Sequence, residues 1–486
     1  LFMACDYLAT CSLYYRRLGD LFVFANSISP LVSEPFSSPA LDVEATAALL
    51  RDGEHYHSRR TLLAGVNQLP PGSSLTLRGS AERIDQYWSI NDERSQFSGT
   101  AQEAVETLGR LLSSAVRSRV QTSYPVAAHL SGGLDSSAII AQAAPLLGGQ
   151  LRGYSWMSVP SEQQEREDPE WSTGQLLAST YQLPLDYCAL SAESMLQLLT
   201  AHDLALGDTA DLWSEHILRG KVVDDGARTL LSGWGGDQFI THYGNSLYAQ
   251  RLLSGDALAV VRELRAPSLR RSLANLRNFL LLPLMGSLGK RVMPGYLGFA
   301  SEEVKQLAAT GEPLTTYSGV FVEREMRNQA NLVHLCNRLR SWYAAGLKDG
   351  ISYRYPLLDR RIVEFALSLP PQYFRWQGEG RYLLRTVMAD SPPLSLWYRN
   401  QKAEPARVRD ATNIVLATMR LWLHDRGEQL KVSRLVSTEA LYQAIASATS
   451  EESLGSKEKS LRFWGMLRSI LVLEMENRYS SKEQER

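Results

Sequence analysis

Twice along this chain a short apolar run ends in a serine, a set of glycines and an aspartate. No other sequence feature restricts the fold as much. The first copy is Leu130-Ser131-Gly132-Gly133-Leu134-Asp135-Ser136-Ser137, behind Pro125-Val126-Ala127-Ala128-His129. The second is Ser232-Gly233-Trp234-Gly235-Gly236-Asp237, behind Thr229-Leu230-Leu231. Glycines let a backbone approach a ligand closely and turn its amides inward. Serines that open a helix leave free N–H groups and a dipole that favour phosphate. An aspartate beside phosphates repels them unless a divalent cation lies between, and the oxygen-seeking Mg2+ suits that place. A tight strand–helix turn whose serines merely cap the helix would account for one such loop. Two loops, each with one aspartate, fit a single metal–pyrophosphate site held between them, because independent turns have no need to repeat the same chemistry.

The patterning around the loops predicts an α/β domain. A helix is expected over Ala101 to Val120, with Leu108, Leu111, Leu112, Ala115 and Val116 on one face. Strands are expected at Pro125–Leu130, Tyr154–Val159, Leu185–Leu190 and Thr229–Leu231. Between them lie helical patterns at Ser136–Leu147, Trp171–Tyr181 and Glu193–Leu206. Strands alternating with helices imply a parallel sheet, whose carboxyl ends form the ligand crevice. From about Tyr248 onward helical patterns dominate. Residues 1–95 read differently, as strand runs (Leu21–Phe24, Ser74–Leu77), one helix (Leu41–Arg51) and a Pro70-Pro71-Gly72 turn. A polar stretch from Asn91 to Thr100 reads as the linker. The length of 486 residues agrees with more than one domain.

Composition excludes several classes of function. Lys+Arg 51 against Asp+Glu 52 leaves a net charge of -1, with no basic block to bind nucleic acid. Cys5, Cys11, Cys188 and Cys336 lie too far apart for a metal-type pair and read as thiols of a reducing, cytoplasmic compartment. The most apolar stretch, Phe279–Leu288, is too short to span a bilayer and is broken by Pro283 and Gly286. Asp6 and Arg16-Arg17 fall where a signal peptide would need its apolar region.

The first loop resembles the pyrophosphate loop of the N-type ATP pyrophosphatases. Together with the second it resembles the asparagine synthetase superfamily. Tyr353 to Ala366 is similar to that family's RxPFLD segment, and Leu383-Leu384-Arg385 and Arg399-Asn400-Gln401-Lys402 are similar to its C-terminal motifs. Asp6-Tyr7-Leu8, Leu13-Tyr14-Tyr15 and Leu69-Pro70-Pro71-Gly72 resemble the later part of its glutaminase domain. The resemblance implies a PP-loop adenine-nucleotide domain over 101–486 with a helical C-terminal part. Before it, over 1–95, would stand a degenerate glutaminase-like α+β remnant. It also implies ATP and Mg2+ as cofactors, consumed with release of AMP and pyrophosphate. Leu130, Ser131, Gly132, Gly133, Ser136, Ser137, Gly233, Gly235 and Gly236 would cradle the nucleotide's phosphates. Asp135 and Asp237 would hold the metal, and Lys402 would stabilise charge on the acyl-adenylate. A solvated surface lysine is the alternative for Lys402.

Two departures from that family refine the expectation. Glutamine-dependent members begin their mature chain with a cysteine nucleophile, whereas Cys5 is internal, so glutamine hydrolysis is not expected. Their second loop typically reads Ser-Gly-Glu-Gly and ends in Asp-Glu. Here Trp234 replaces the glutamate and Gln238 the last acid. A tryptophan cannot act as a base, but it offers a broad apolar face to a bulky substrate. The combination looks most like the lasso-peptide macrolactam synthetases. By that resemblance the substrate is a precursor peptide, with a leader peptidase and a peptide-recognition protein as partners. A drifted asparagine synthetase, a β-lactam-synthetase-like enzyme and a binding module that has lost catalysis are the other readings.

Overall fold

The computed structural model describes residues 1–33, 35–36, 39–52, 59–156, 169–201, 215–264, 268–286, 291–292, 295–311, 315–316, 321–331, 333–376, 379–393, 405–427, 429–430, 432–449, 452 and 456–480. Lys402, with Arg399, Asn400 and Gln401, lies outside them, as do 157–159 and 202–206.

Six strands open the chain: β1 (Phe2–Ala4), β2 (Tyr14–Leu18), β3 (Leu21–Ala25), β4 (Val66–Gln68), β5 (Ser73–Arg78) and β6 (Ala81–Gln86). They form two three-stranded antiparallel sheets, β1-β5-β6 and β3-β2-β4, with helix α1 (Val43–Asp52) between β3 and β4 in sequence. The turn at Pro70-Pro71-Gly72 needs its glycine. Gly72 has φ +63°, and a Cβ there would stand 2.3 Å from the Trp88 carbonyl oxygen. Tyr14, Leu31, Leu49 and Leu50 share one core with Met195, Leu198, Trp422, Phe463 and Ile470. The first segment is therefore packed into the C-terminal helices rather than standing apart.

The central sheet has five parallel strands: β7 (Val126–His129), β8 (Leu151–Ser155), β9 (Leu185–Tyr187), β10 (Thr229–Leu231) and β11 (Ser352–Arg354). Their spatial order is β11-β10-β7-β8-β9. Going outward from β7, the chain runs one way through β8 and β9 and the other way through β10 and β11. The order therefore reverses between β7 and β10, which is where an open parallel sheet holds its ligand. The two glycine loops follow these two neighbouring strands. Thr229 pairs with Val126 and Leu231 with Ala128, so the loops leave the sheet at the same level.

Sequence patterning gave the four earlier strands but displaced one. β8 begins at Leu151 rather than Tyr154, because Leu151 and Gly153 pair with Val126 and Ala128 and so set its register. It missed β11, three residues without β-branched side chains, inside the segment read as a family motif. It also missed the helix Glu215–Asp224.

Helix α2 (Ala101–Arg119) starts on a capping box in which Thr100 and Glu103 satisfy each other's backbone N–H groups. It buries Ala104, Leu108, Leu112, Ala115 and Val116. Helix α3 (Leu134–Leu147) follows the first loop and is apolar nearly all round, burying Ala138, Ile139, Ile140, Ala143 and Ala144. After β11, a turn at Pro356–Leu358 leads to α4 (Arg360–Ser368), capped by Asp359. Asp359 accepts bonds from Arg119 Nη1 at 2.9 Å and from the Arg361 amide and guanidinium at 2.9–3.1 Å. It thereby ties α2 to α4.

Burial alone would push the Asp359 carboxyl up, but Arg361 and Arg119 outweigh it and hold the pKa at about 2. A depressed folded pKa contributes stability above the unfolded value and loses it as pH falls towards the folded one. Asp359→Ala should therefore cost about 2 kcal/mol at pH 7 in urea unfolding. The difference from wild type should shrink between pH ~4 and ~2. An unchanged midpoint would remove Asp359 as the clamp.

Candidate active site

The first loop is fixed at both ends. Leu130 is buried between β8 and the helix Pro169–Thr180, and it fits because Gly153 and Gly174 leave room. A Cβ on either would come within 2.8–2.9 Å of its methyl groups. Leu130 thus serves as an anchor, with only its backbone open to a ligand role. Gly132 has φ +74°, and a Cβ there would overlap the Glu170 carbonyl oxygen at 1.8 Å. Gly133 is the N-cap of α3. Ser131 Oγ lies 3.0 Å from Ser136 Oγ and accepts the Gly133 N–H at 3.3 Å, while Ser136 Oγ donates to Gly133 O at 3.1 Å. Ser137 Oγ is buried and has no hydrogen-bond partner among the described residues.

The second loop lies directly on the first. A Cβ on Gly233 would meet Ser136 N at 2.7 Å and Asp135 Cβ at 3.1 Å, and one on Gly236 would meet Asp135 Cγ at 3.0 Å. Gly235, at φ +91°, packs on Leu358, and Gly236 on Leu357. The segment after β11 is therefore the floor under the second loop.

The loops bring Asp135 and Asp237 into one electrostatic unit. Asp135 Oδ1 is closed off from solvent and accepts no hydrogen bond among the described residues. Burial pushes the Asp135 pKa up to about 7, Arg381 pulling it down and Asp237 pushing it further up. Asp237 is 49% exposed and ion-paired with Arg381. Among the described residues no cluster of three or more His, Cys, Asp or Glu side chains could hold a metal. A pair of carboxylates suits Mg2+, which keeps waters and takes its remaining ligands from substrate phosphates. The orphaned Asp135 oxygen and the glycine-lined cradle over it fit such an ion.

Trp234 is half-buried. Its ring centroid lies 5.8 Å from that of Trp342, on the helix Val333–Asp349, and the Arg338 guanidinium sits 4.5 Å above it. The loop is held from below by a network that sequence patterning did not single out. Ser232 Oγ accepts the Trp234 N–H at 3.2 Å and lies 3.1 Å from His129 Nδ1. His129 Nε2 lies 3.3 Å from Glu215 Oε1. His129 thus bridges the Ser232 hydroxyl to the Glu215 carboxylate, with Nε2–H donating to Glu215. Glu215 also accepts from Trp156 Nε1 at 2.6 Å and from the Tyr353 hydroxyl. Burial drives the Glu215 pKa up, but His129, Arg219 and Tyr353 outweigh it and hold the carboxylate below its ordinary range. A histidine ending a buried strand carried no sign in the sequence that it would meet a glutamate 86 residues on. Arg381 was equally silent, although it stands just before Leu383-Leu384-Arg385.

Cys5 is buried, donates to Cys11 O at 3.3 Å, and has its pKa pushed by burial to about 12. Such a thiol is no nucleophile. No helix among the described residues is long and apolar enough to cross a membrane.

Residues 107–477 match the asparagine synthase family, and the chain belongs to it. It is similar to asparagine synthetase (glutamine-hydrolyzing) 3 of Bacillus subtilis (strain 168), at 28% identity over 144 residues, 30% of this chain and 23% of that protein. It is also similar to amidase chyE of Penicillium rubens, at 33% over 155 residues, 31% of this chain and 22% of that protein. Amidase chry2 of Gibberella zeae is 31% identical over 140 residues, 28% of this chain and 20% of that protein. The chain thus matches less than a quarter of the length of each of these relatives.

The raised Asp135 pKa carries a stability cost. Stability is full below the unfolded pKa of about 4 and is lost as pH rises to about 7. In EDTA, Asp135→Asn should therefore be more stable than wild type at pH 8, with the gap closing towards pH 4. Equal urea midpoints at both pH values would contradict the burial of this charge.

Proposed function

We propose that the protein activates a side-chain carboxylate of a peptide as an acyl-adenylate and closes an amide on it with an amine of the same peptide. In the first step a carboxylate oxygen bonds to the α-phosphorus of ATP and pyrophosphate leaves. In the second the amine bonds to the carbonyl carbon, AMP leaves and the amine gives up a proton. Mg2+, when bound, would neutralise charge on the departing phosphates. Asp135 and Asp237 would hold it, the two loops' amides and serines would orient the pyrophosphate, and Lys402 would stabilise the adenylate. In this reading residues 1–95 belong to an amidotransferase-like domain and 101–486 to the ligase domain.

The observation that carries this reading is Trp234. It stands in the second loop three residues before Asp237, where a base for ammonia would be needed, and its half-buried ring is held by Trp342 and the Arg338 guanidinium. An apolar wall suits a peptide acceptor better than free aspartate and ammonia. The bacterial relative's name favours a second reading, asparagine formation.

Mass spectrometry of candidate precursor peptides incubated with enzyme, ATP and Mg2+ tests the first reading through loss of one water per peptide. Asp135→Ala and Asp237→Ala should each lower turnover at least ~10²-fold. Trp234→Ala should weaken ring closure ten- to roughly hundredfold, the equivalent of ~1.5–3 kcal/mol of lost apolar contact. Asparagine production from aspartate, ATP and ammonia by the wild-type protein would decide for the second reading.

A further inference from the structure

Arg381 stands where the loops' cation belongs. Its guanidinium is ion-paired to Asp237 Oδ1 and acts electrostatically on Asp135 as well. It lies 4.3 Å from the centre of the Tyr243 ring, and its side chain is only 12% exposed. Its Nε is buried without a hydrogen-bond partner among the described residues. The residue itself is strained, with φ 60° and ψ 30°, a left-handed conformation that a side chain rarely adopts. Strain in an arginine aimed at two carboxylates is not what a surface ion pair would require.

We propose that Arg381 is a resident counter-ion of the aspartate pair. A divalent cation displaces it from Asp237, and its guanidinium then serves the phosphates that accompany the metal. The proposal rests on Asp135 and Asp237 being the metal-side residues of a nucleotide site. Its logic is electrostatic. A guanidinium does not lose its proton, so its charge leaves a carboxylate only by movement of the side chain. A divalent cation and the guanidinium cannot share one oxygen, because like charges a few ångströms apart repel strongly in a partly buried site. Phosphates offer the displaced group a partner that matches its planar fork, and the unspent Nε is one donor for it. Metal alone must therefore compete with Arg381, whereas metal that arrives with phosphate does not leave the guanidinium stranded. The two ligands are coupled through one side chain, and such coupling is reciprocal.

The probe is Mn2+, followed by electron paramagnetic resonance on the full chain without nucleotide. Arg381→Gly removes the charge and suits the left-handed backbone, while Arg381→Lys keeps the charge. Arg381→Gly should bind Mn2+ at least about fivefold tighter than wild type, and Arg381→Lys within about twofold of wild type. With Mn2+ saturating, inorganic pyrophosphate should bind Arg381→Gly at least about fivefold more weakly. Circular dichroism and thermal melting check the fold. Should Arg381→Gly lose its native spectrum, Arg381→Asn, which also tolerates this backbone, repeats the charge removal. Mn2+ affinity that is unchanged, weaker or undetectable in a folded charge-removed variant overturns the proposal. ATP–pyrophosphate exchange by the wild type tests the ligase reading separately. Tighter Mn2+ binding in the variant without exchange in the wild type would leave the counter-ion role standing and the ligase reading failed.

Discussion

The site depends on a contact between two backbones. Gly233 and Gly236 lie so close to the first turn of α3 that any side chain on them would strike Asp135 or Ser136. That closeness puts both aspartates in one electrostatic unit and shuts Asp135 Oδ1 away from water. It is available only because β7 and β10 are neighbours at the place where strand order reverses. Burial there disfavours the charged form of the Asp135 carboxyl.

The rest of the fold supports that contact from below and behind. Leu357 and Leu358 lie beneath Gly236 and Gly235, and Asp359 fixes their turn by capping α4 and binding Arg119. The segment that read as a family motif is therefore a floor and a clamp. On the other side, the Ser232–His129–Glu215 network holds the amide of Trp234, while Trp342 and Arg338 hold its ring.

The parallel sheet and the two loops were legible in the sequence because they rest on local signals. These are apolar runs of strand length, glycine clusters and serines at a helix start. What was not legible is made by distant partners. β11 is a strand only because Tyr353 pairs with Leu230, and nothing in Ser352–Arg354 announces it. Arg381 meets Asp237 across 144 residues, and its left-handed backbone has no glycine or asparagine to betray it. The N-terminal segment's shared core with the C-terminal helices was hidden for the same reason, since a polar linker after it suggested separation.

Attack at the α-phosphorus, the chemistry proposed for the two loops, leaves an isotopic signature. It is tested most directly with an acceptor peptide whose reacting carboxylate carries 18O. Attack there should leave one labelled oxygen in AMP and one in the new amide, with unlabelled pyrophosphate. Label recovered in inorganic phosphate, with ADP as the nucleotide product, would contradict it.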